Sequence, residues 1–156
     1  MNRFFIALAA AATALASAPA LAGADAVSLS SDVKVDKVVV ENGKETHVLT
    51  PPQKVVPGDK LVFSTQYHNN GASPVDSFVV TNPLPAGVAY LAEDAANALV
   101  SVDGGKTWAA LEKLTVADGK GGTRPAQAAD VTHVRWSIAV IAPGASGSVS
   151  YHAIVR

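Results

Sequence analysis

The sequence predicts an all-β protein: an immunoglobulin-like antiparallel β-sandwich of about seven to eight strands behind a cleavable export leader. Three observations carry this. β-branched and aromatic residues fall in short runs that alternate with period two. Clusters of Gly, Pro and Asn separate those runs at near-regular spacing. The only helix-leaning piece, Glu93 to Leu99, is too short to build a layer, and nothing resembles a βαβ unit.

The elements follow in chain order. Met1-Asn2-Arg3 gives a positive start, Phe4 to Ala12 is an unbroken apolar run, and Ala20-Leu21-Ala22 is a small-x-small cleavage site just after Pro19. Residues 1–22 therefore read as a Sec-type signal peptide cleaved after Ala22, residues 23–32 as a flexible mature N-terminus, and residues 33–156 as the sandwich domain. Val33-Lys34-Val35-Asp36 alternates and then slips phase at Lys37-Val38-Val39-Val40, as a bulge would make it do. Glu41-Asn42-Gly43-Lys44 is a hairpin turn, and Val48 to Val56 is a proline-interrupted return.

Pro57-Gly58-Asp59 turns into the strand Lys60 to His68, with Leu61, Phe63, Thr65 and Tyr67 on one face. After Asn69-Asn70-Gly71 come a strand from Val75 to Thr81 and a short one from Val88 to Leu91. Leu99 to Val102 and Thr107 to Leu111 read as a hairpin around Asp103-Gly104-Gly105. Ala117 to Asp130 carries no strand signal and reads as a long, functional or mobile loop. Val131 to Ile141 places Thr132, Val134, Trp136, Ile138 and Val140 on one face. Across Pro143-Gly144-Ala145, the final strand turns Val149, Tyr151, Ala153 and Val155 inward.

Composition narrows the function. The chain has 156 residues, of which 49% are hydrophobic, enough for a core that needs no staples. It has no cysteine, which excludes disulfides, thiolate catalysis, zinc-cysteine sites, covalent haem attachment and lipoprotein anchoring. The net charge is −1, and the leader removes only Arg3, so no basic stripe points to nucleic acid. No second hydrophobic segment of spanning length follows the leader, so the mature protein is expected to be soluble, in the periplasm or outside the cell.

Four turn motifs in a fixed order carry a resemblance. They are Val56-Pro57-Gly58-Asp59-Lys60-Leu61, Asn69-Asn70-Gly71, Asn82-Pro83-Leu84-Pro85-Ala86-Gly87-Val88, and Trp136 with Ala142-Pro143-Gly144-Ala145-Ser146-Gly147. The chain from about Val55 to Arg156 resembles the bacterial surface repeat called domain of unknown function 11, an immunoglobulin-like sandwich. The resemblance implies a structural or interaction role and no enzymatic activity. Asn82 stands where that family usually has aspartate, which removes a charge from any cation site at that corner. The stretch Ser101-Val102-Asp103-Gly104-Gly105-Lys106-Thr107-Trp108 resembles an Asp-box. That likeness implies a structural hairpin in which Asp103 accepts backbone amides, Gly105 takes a left-handed turn and Trp108 packs over the loop.

Few residues qualify for chemistry. Gly144-Ala145-Ser146-Gly147 lacks the nucleophile-elbow spacing, and Asp118 to Thr123 lacks the phosphate-loop spacing. The pair Glu93-Asp94 reads as a solvated turn. His68, His133 and His152 fall on outward phases. If the last two strands paired as a hairpin, Arg135 would face His152 with His133 diagonal to it, making His133 and His152 weak candidates for copper or zinc. Trp108 and Tyr90 are the aromatics available to a glycan. Asp130, Arg124 and Arg135 are expected to form an ion cluster on the long loop.

The resulting expectation is an exported, non-catalytic module that needs no cofactor and binds an envelope protein or glycan. Its candidate surfaces are the end loops Asn82 to Gly87 and Ala117 to Asp130, or an edge strand Val33 to Val40. A periplasmic metal- or carbohydrate-binding protein is the alternative.

Overall fold

The computed structural model describes residues 26–92 and 97–156; the leader, the cleavage site, residues 23–25 and the Glu93-Asp94 pair lie outside them. Ten strands run in chain order: β1 (Val27–Glu41), β2 (Lys44–Thr50), β3 (Lys60–Asn69), β4 (Val75–Pro83), β5 (Val88–Leu91), β6 (Leu99–Ser101), β7 (Thr115–Ala117), β8 (Thr123–Pro125), β9 (His133–Ile141) and β10 (Ser146–Val155). All pairings are antiparallel. One sheet has the order β2-β1-β3-β10-β5, the other β4-β9-β6, and β7-β8 is a separate ribbon. The protein is an all-β antiparallel sandwich.

Setting aside β2 and the β7-β8 ribbon leaves seven strands. Four lie in one sheet as β1-β3-β10-β5 and three in the other as β4-β9-β6. An immunoglobulin constant domain places its first, second, fifth and fourth strands in one sheet, with the third, sixth and seventh in the other. Here the fifth and seventh strands of that scheme exchange places. The final strand of the domain is therefore central, bonded to β3 on one side and β5 on the other.

Alternation explains the core. On β3 and β10 the inward residues are Leu61, Phe63 and Thr65, and Val149, Tyr151 and Ala153; they meet Val80, Val134 and Trp136 from the other sheet. Tyr151 stacks on Phe63 with ring centroids 4.9 Å apart, and its other ring neighbours are Trp136 at 6.2 Å and Tyr90 at 6.3 Å. Burial pushes the Tyr151 phenol up to about 12. Tyr90, expected to be available to a glycan, is buried beside it.

The structure corrects several sequence expectations. β1 begins at Val27, so residues 27–32 are strand, paired with β3, where a flexible start was expected. Lys37 to Val40 contains no bulge: its register with β2 is unbroken from Val35 to Glu41. All four residues are exposed because β3 begins only opposite Asp36. Of the expected edge strand Val33 to Val40, only Val33 and Lys34 lie at an edge, since β2 lies beyond the chain from Val35 onward. Val140 points outward and Ile141 inward. Ser77, at φ 53°, bends β4 opposite this point, so both strands change phase together and Val75 meets Ile141.

The condition that the last two strands pair across the Pro143-Gly144 turn is not met; the turn carries the chain from one sheet to the other. Its geometry accounts for this. Ala145 N–H donates to Ala142 C=O at 3.0 Å, and Gly144 has φ 70°, the signature of a type II turn with Pro143 leading. Type II turns splay their flanking strands, whereas tight hairpins use the mirror-image forms.

Asn69 fixes the end of the sandwich where this crossing occurs. Its side chain is fully buried, and its Nδ2 donates to Ser73 C=O and Ile141 C=O, each at 2.9 Å. Its Oδ1 accepts the Gly71 N–H at 2.9 Å. Its main chain donates to Ala145 C=O and accepts from Gly144 N–H. One residue thus joins β3, the following turn, the end of β9 and the crossing. Asn69→Ala removes the side-chain partner of two carbonyls, Ser73 and Ile141, and of the Gly71 amide, and should lower unfolding free energy in urea by about 3 kcal/mol. The neighbouring exposed Asn70→Ala should cost less than about 1 kcal/mol. Equal midpoints for the two variants would contradict this role.

Candidate functional site

At the opposite end of the sandwich the chain makes a dense polar turn. Asp103 accepts N–H bonds from Lys106 and Thr107, each at 3.0 Å, and O–H bonds from Thr107 and Ser101, each at 2.7 Å. These donors, the Thr107 amide foremost, hold its carboxyl far below the usual range. Gly104 and Gly105 take left-handed φ of 78° and 88° within the turn. Trp108 donates Nε1–H to Gly105 C=O at 3.0 Å, and its ring lies against Gly105. Thr132 ties the turn to β9 by donating to Ser101 C=O and accepting Gly104 N–H.

Trp108 covers the outer face of β9. The Arg135 guanidinium lies 4.3 Å from the ring centroid, and His133 meets the ring edge-on at 6.2 Å. Arg135 is therefore absent from the ion pair expected on the long connector. There Arg124 binds Asp130 alone, through two bonds of 2.7 and 2.8 Å, and Asp130 also accepts the Gln127 N–H. The connector contains the β7-β8 ribbon and a 3-10 turn at Ala128–Asp130, where a long loop without strand was expected. Asp118 closes the ribbon's turn by accepting from Lys120 and Gly122.

The two candidate metal ligands are not brought together. His133 belongs to β9 and His152 to β10, which lie in different sheets. The assumed hairpin fails at the Pro143-Gly144 crossing, and Arg135 faces Leu99 in place of His152. Among the described residues no group of three or more His, Asp or Glu side chains converges for a metal.

The remaining motif residues hold the ends of the sandwich. Pro57 and Gly58 form a type II turn closed by Asp59 N–H on Val56 C=O, and the Asp59 carboxylate accepts the Val56 N–H. This turn is stitched to β10 through Gly58 and Val155. Asn82 points between the sheets and donates to the Thr65 hydroxyl at 2.8 Å, in a chain that continues to Ser31. Beyond Pro83 and Pro85, Gly87 turns with φ 87° and accepts the Arg156 N–H.

The outer face of the five-stranded sheet holds a shallow depression of about 450 Å³ rimmed by Ser28, Ser30, Gln66, His68, Ser146 and Ser148. His68 Nδ1 lies 2.8 Å from Ser146 Oγ. Tyr67 lies across Gly147, where a Cβ would overlap its ring and hydroxyl.

The feature that sequence reasoning missed is an arm. The second half of β1 and all of β2 run on past the start of β3. Val38, Val40 and Leu49 share one face of this ribbon, and Val39 and Val48 the other; all five are exposed, Val40 to 62%. The available signal was Val38-Val39-Val40, three consecutive apolar residues beside an Asn-Gly turn. A strand with one buried face does not need an apolar residue at every position.

No family model, curated protein or solved structure matches the chain.

The Asp130 carboxyl is lowered to about 2, first by the Arg124 bonds and then by the Gln127 amide. A depressed carboxyl stabilises the fold above its unfolded value and loses that contribution as pH falls through the folded value. Asp130→Asn should therefore be less stable than the parent at neutral pH. The gap in urea midpoint should close between about pH 4 and pH 2. A gap that stays constant across this range would show that the charge contributes nothing.

Proposed function

We propose that this protein is an exported, non-catalytic sandwich module of the bacterial envelope that grips another envelope protein through its β1-β2 arm. The observation that carries the reading is the arm itself, with aliphatic side chains open to solvent on both faces. A two-stranded ribbon is marginal in water by itself, and contiguous exposed apolar surface marks an interaction site. The leader-like first 22 residues support export, and the cysteine-free composition suits a domain that relies on its core. The separation of His133 from His152 removes the geometry on which metal binding rested.

Among the described residues no helix is long and apolar enough to cross a membrane. The working part of the molecule is a sandwich that presents a ribbon. Its partner supplies an apolar groove, since the arm offers exposed aliphatic side chains on both faces.

A photo-reactive residue at position 40 should cross-link to one envelope protein in intact cells. The triple change Val38→Ser, Val40→Ser, Leu49→Ser should abolish the adduct and weaken binding more than about a hundredfold, with the melting temperature unchanged because these residues lie outside the core. Undiminished cross-linking by the triple variant would refute the arm as the binding element.

A further inference from the structure

The free edges of the two sheets are not equivalent. β5 and β6 are edges of only four and three residues. β4 is kinked at Ser77 and ends at Pro83. β2 carries Lys44, Glu45 and His47, and Pro51-Pro52 follows it. Shortness, kinks, charge and proline are the devices that keep a strand edge from pairing with another chain.

The first half of β1 uses fewer of them. β2 covers β1 only from Val35 onward, so residues 26–34 have β3 on one side and no strand on the other among the described residues. Val33 N–H donates to the adjacent Asp32 carboxylate at 2.9 Å and not to a strand. By the antiparallel alternation, Leu29, Ser31 and Val33 turn their main-chain groups to the open side. Leu29 is 50% exposed there.

We propose that this edge pairs with the same edge of a second copy, antiparallel about a two-fold axis at Ser30. The shape of the notch selects that occupant and that register. It is closed at one end by Thr50, which lies opposite Val35. With Ser30 opposite Ser30, Ala26 falls opposite Lys34, and residues 26–34 of each copy fill the notch of the other without meeting β2. Outward-turned residues then meet outward-turned residues, Leu29 with Ser31 and Val27 with Val33, so ladder bonds form on both sides of the axis.

Side chains agree with this register. Leu29 comes diagonal to Leu29 and Val33 of the second copy on the inner face, covering the apolar surface that a single chain leaves open. On the outer face Asp32 meets Ser28 and Lys34 meets Ala26, so no like charges oppose each other. The net charge of −1 adds little repulsion between copies. Such an interface is isologous, the same residues serving both copies.

Because the protein has no cysteine, one introduced thiol reports the contact directly. Ser30→Cys should form a disulfide-linked dimer under mild oxidation, since opposed residues without ladder bonds bring their Cβ atoms closest. Ser137→Cys, exposed on the outer face of β9, should remain unlinked. Sedimentation should show a concentration-dependent dimer that Leu29→Lys weakens at least tenfold at unchanged melting temperature, while the triple arm variant dimerises like the parent. The last comparison separates this proposal from the arm's role. A parent chain that stays monomeric, equal cross-linking by the two cysteine variants, or a dimer indifferent to Leu29→Lys would each overturn it.

Discussion

The course of this chain depends on one buried carboxamide. Asn69 spends both ends of its side chain and both of its main-chain groups on three separate segments. A buried amide is tolerated only when its partners are complete. Here the partners lie in the turn after β3, at the end of β9 and in the crossing to β10. Satisfying the amide therefore requires that the two sheets meet at that end. The aromatic stack of Phe63, Tyr151, Tyr90 and Trp136 supplies the larger burial, but apolar contact is non-directional and would accept other pairings. The carboxamide selects among them.

Much of the fold was legible because alternation is strong wherever both sheets cover a strand. The inward sets of β3 and β10 follow directly from the sequence, as do the hairpin at Asn42-Gly43 and the limits of β5. Reading failed where tertiary placement overrode local pattern. The run Val38 to Val40 belongs to a ribbon that neither sheet buries, so its lack of alternation had no core to report on. Ser77 took a left-handed conformation that no composition rule assigns to serine, and it carried Val140 to the surface with it. The conditional pairing of β9 with β10 left out the turn type that Pro143-Gly144 imposes. The supposed histidine pair fell with that assignment.

The chemistry of the motif residues is mostly inward or self-directed. Asp103, Asp118, Asp59 and Asp130 each spend their carboxylates on amides or a guanidinium of the same local segment. The result is a body whose loops are stapled by their own polar groups. What remains open is apolar and backbone in character: an arm on one side of β1 and a bare edge on the other. Both arise from the same cause, that β1 is longer than either of its neighbours and is offset from each.

The placement of β10 between β3 and β5 has a consequence for the order of events in synthesis. The larger sheet lacks its middle until the ten residues of β10 are in hand. Contacts that wait for the far end of a domain make folding slow and late. If the chain is exported as proposed, passing through a narrow conduit as an extended thread, it gains from such delay. Its topology keeps it threadable for as long as its tail is still to come.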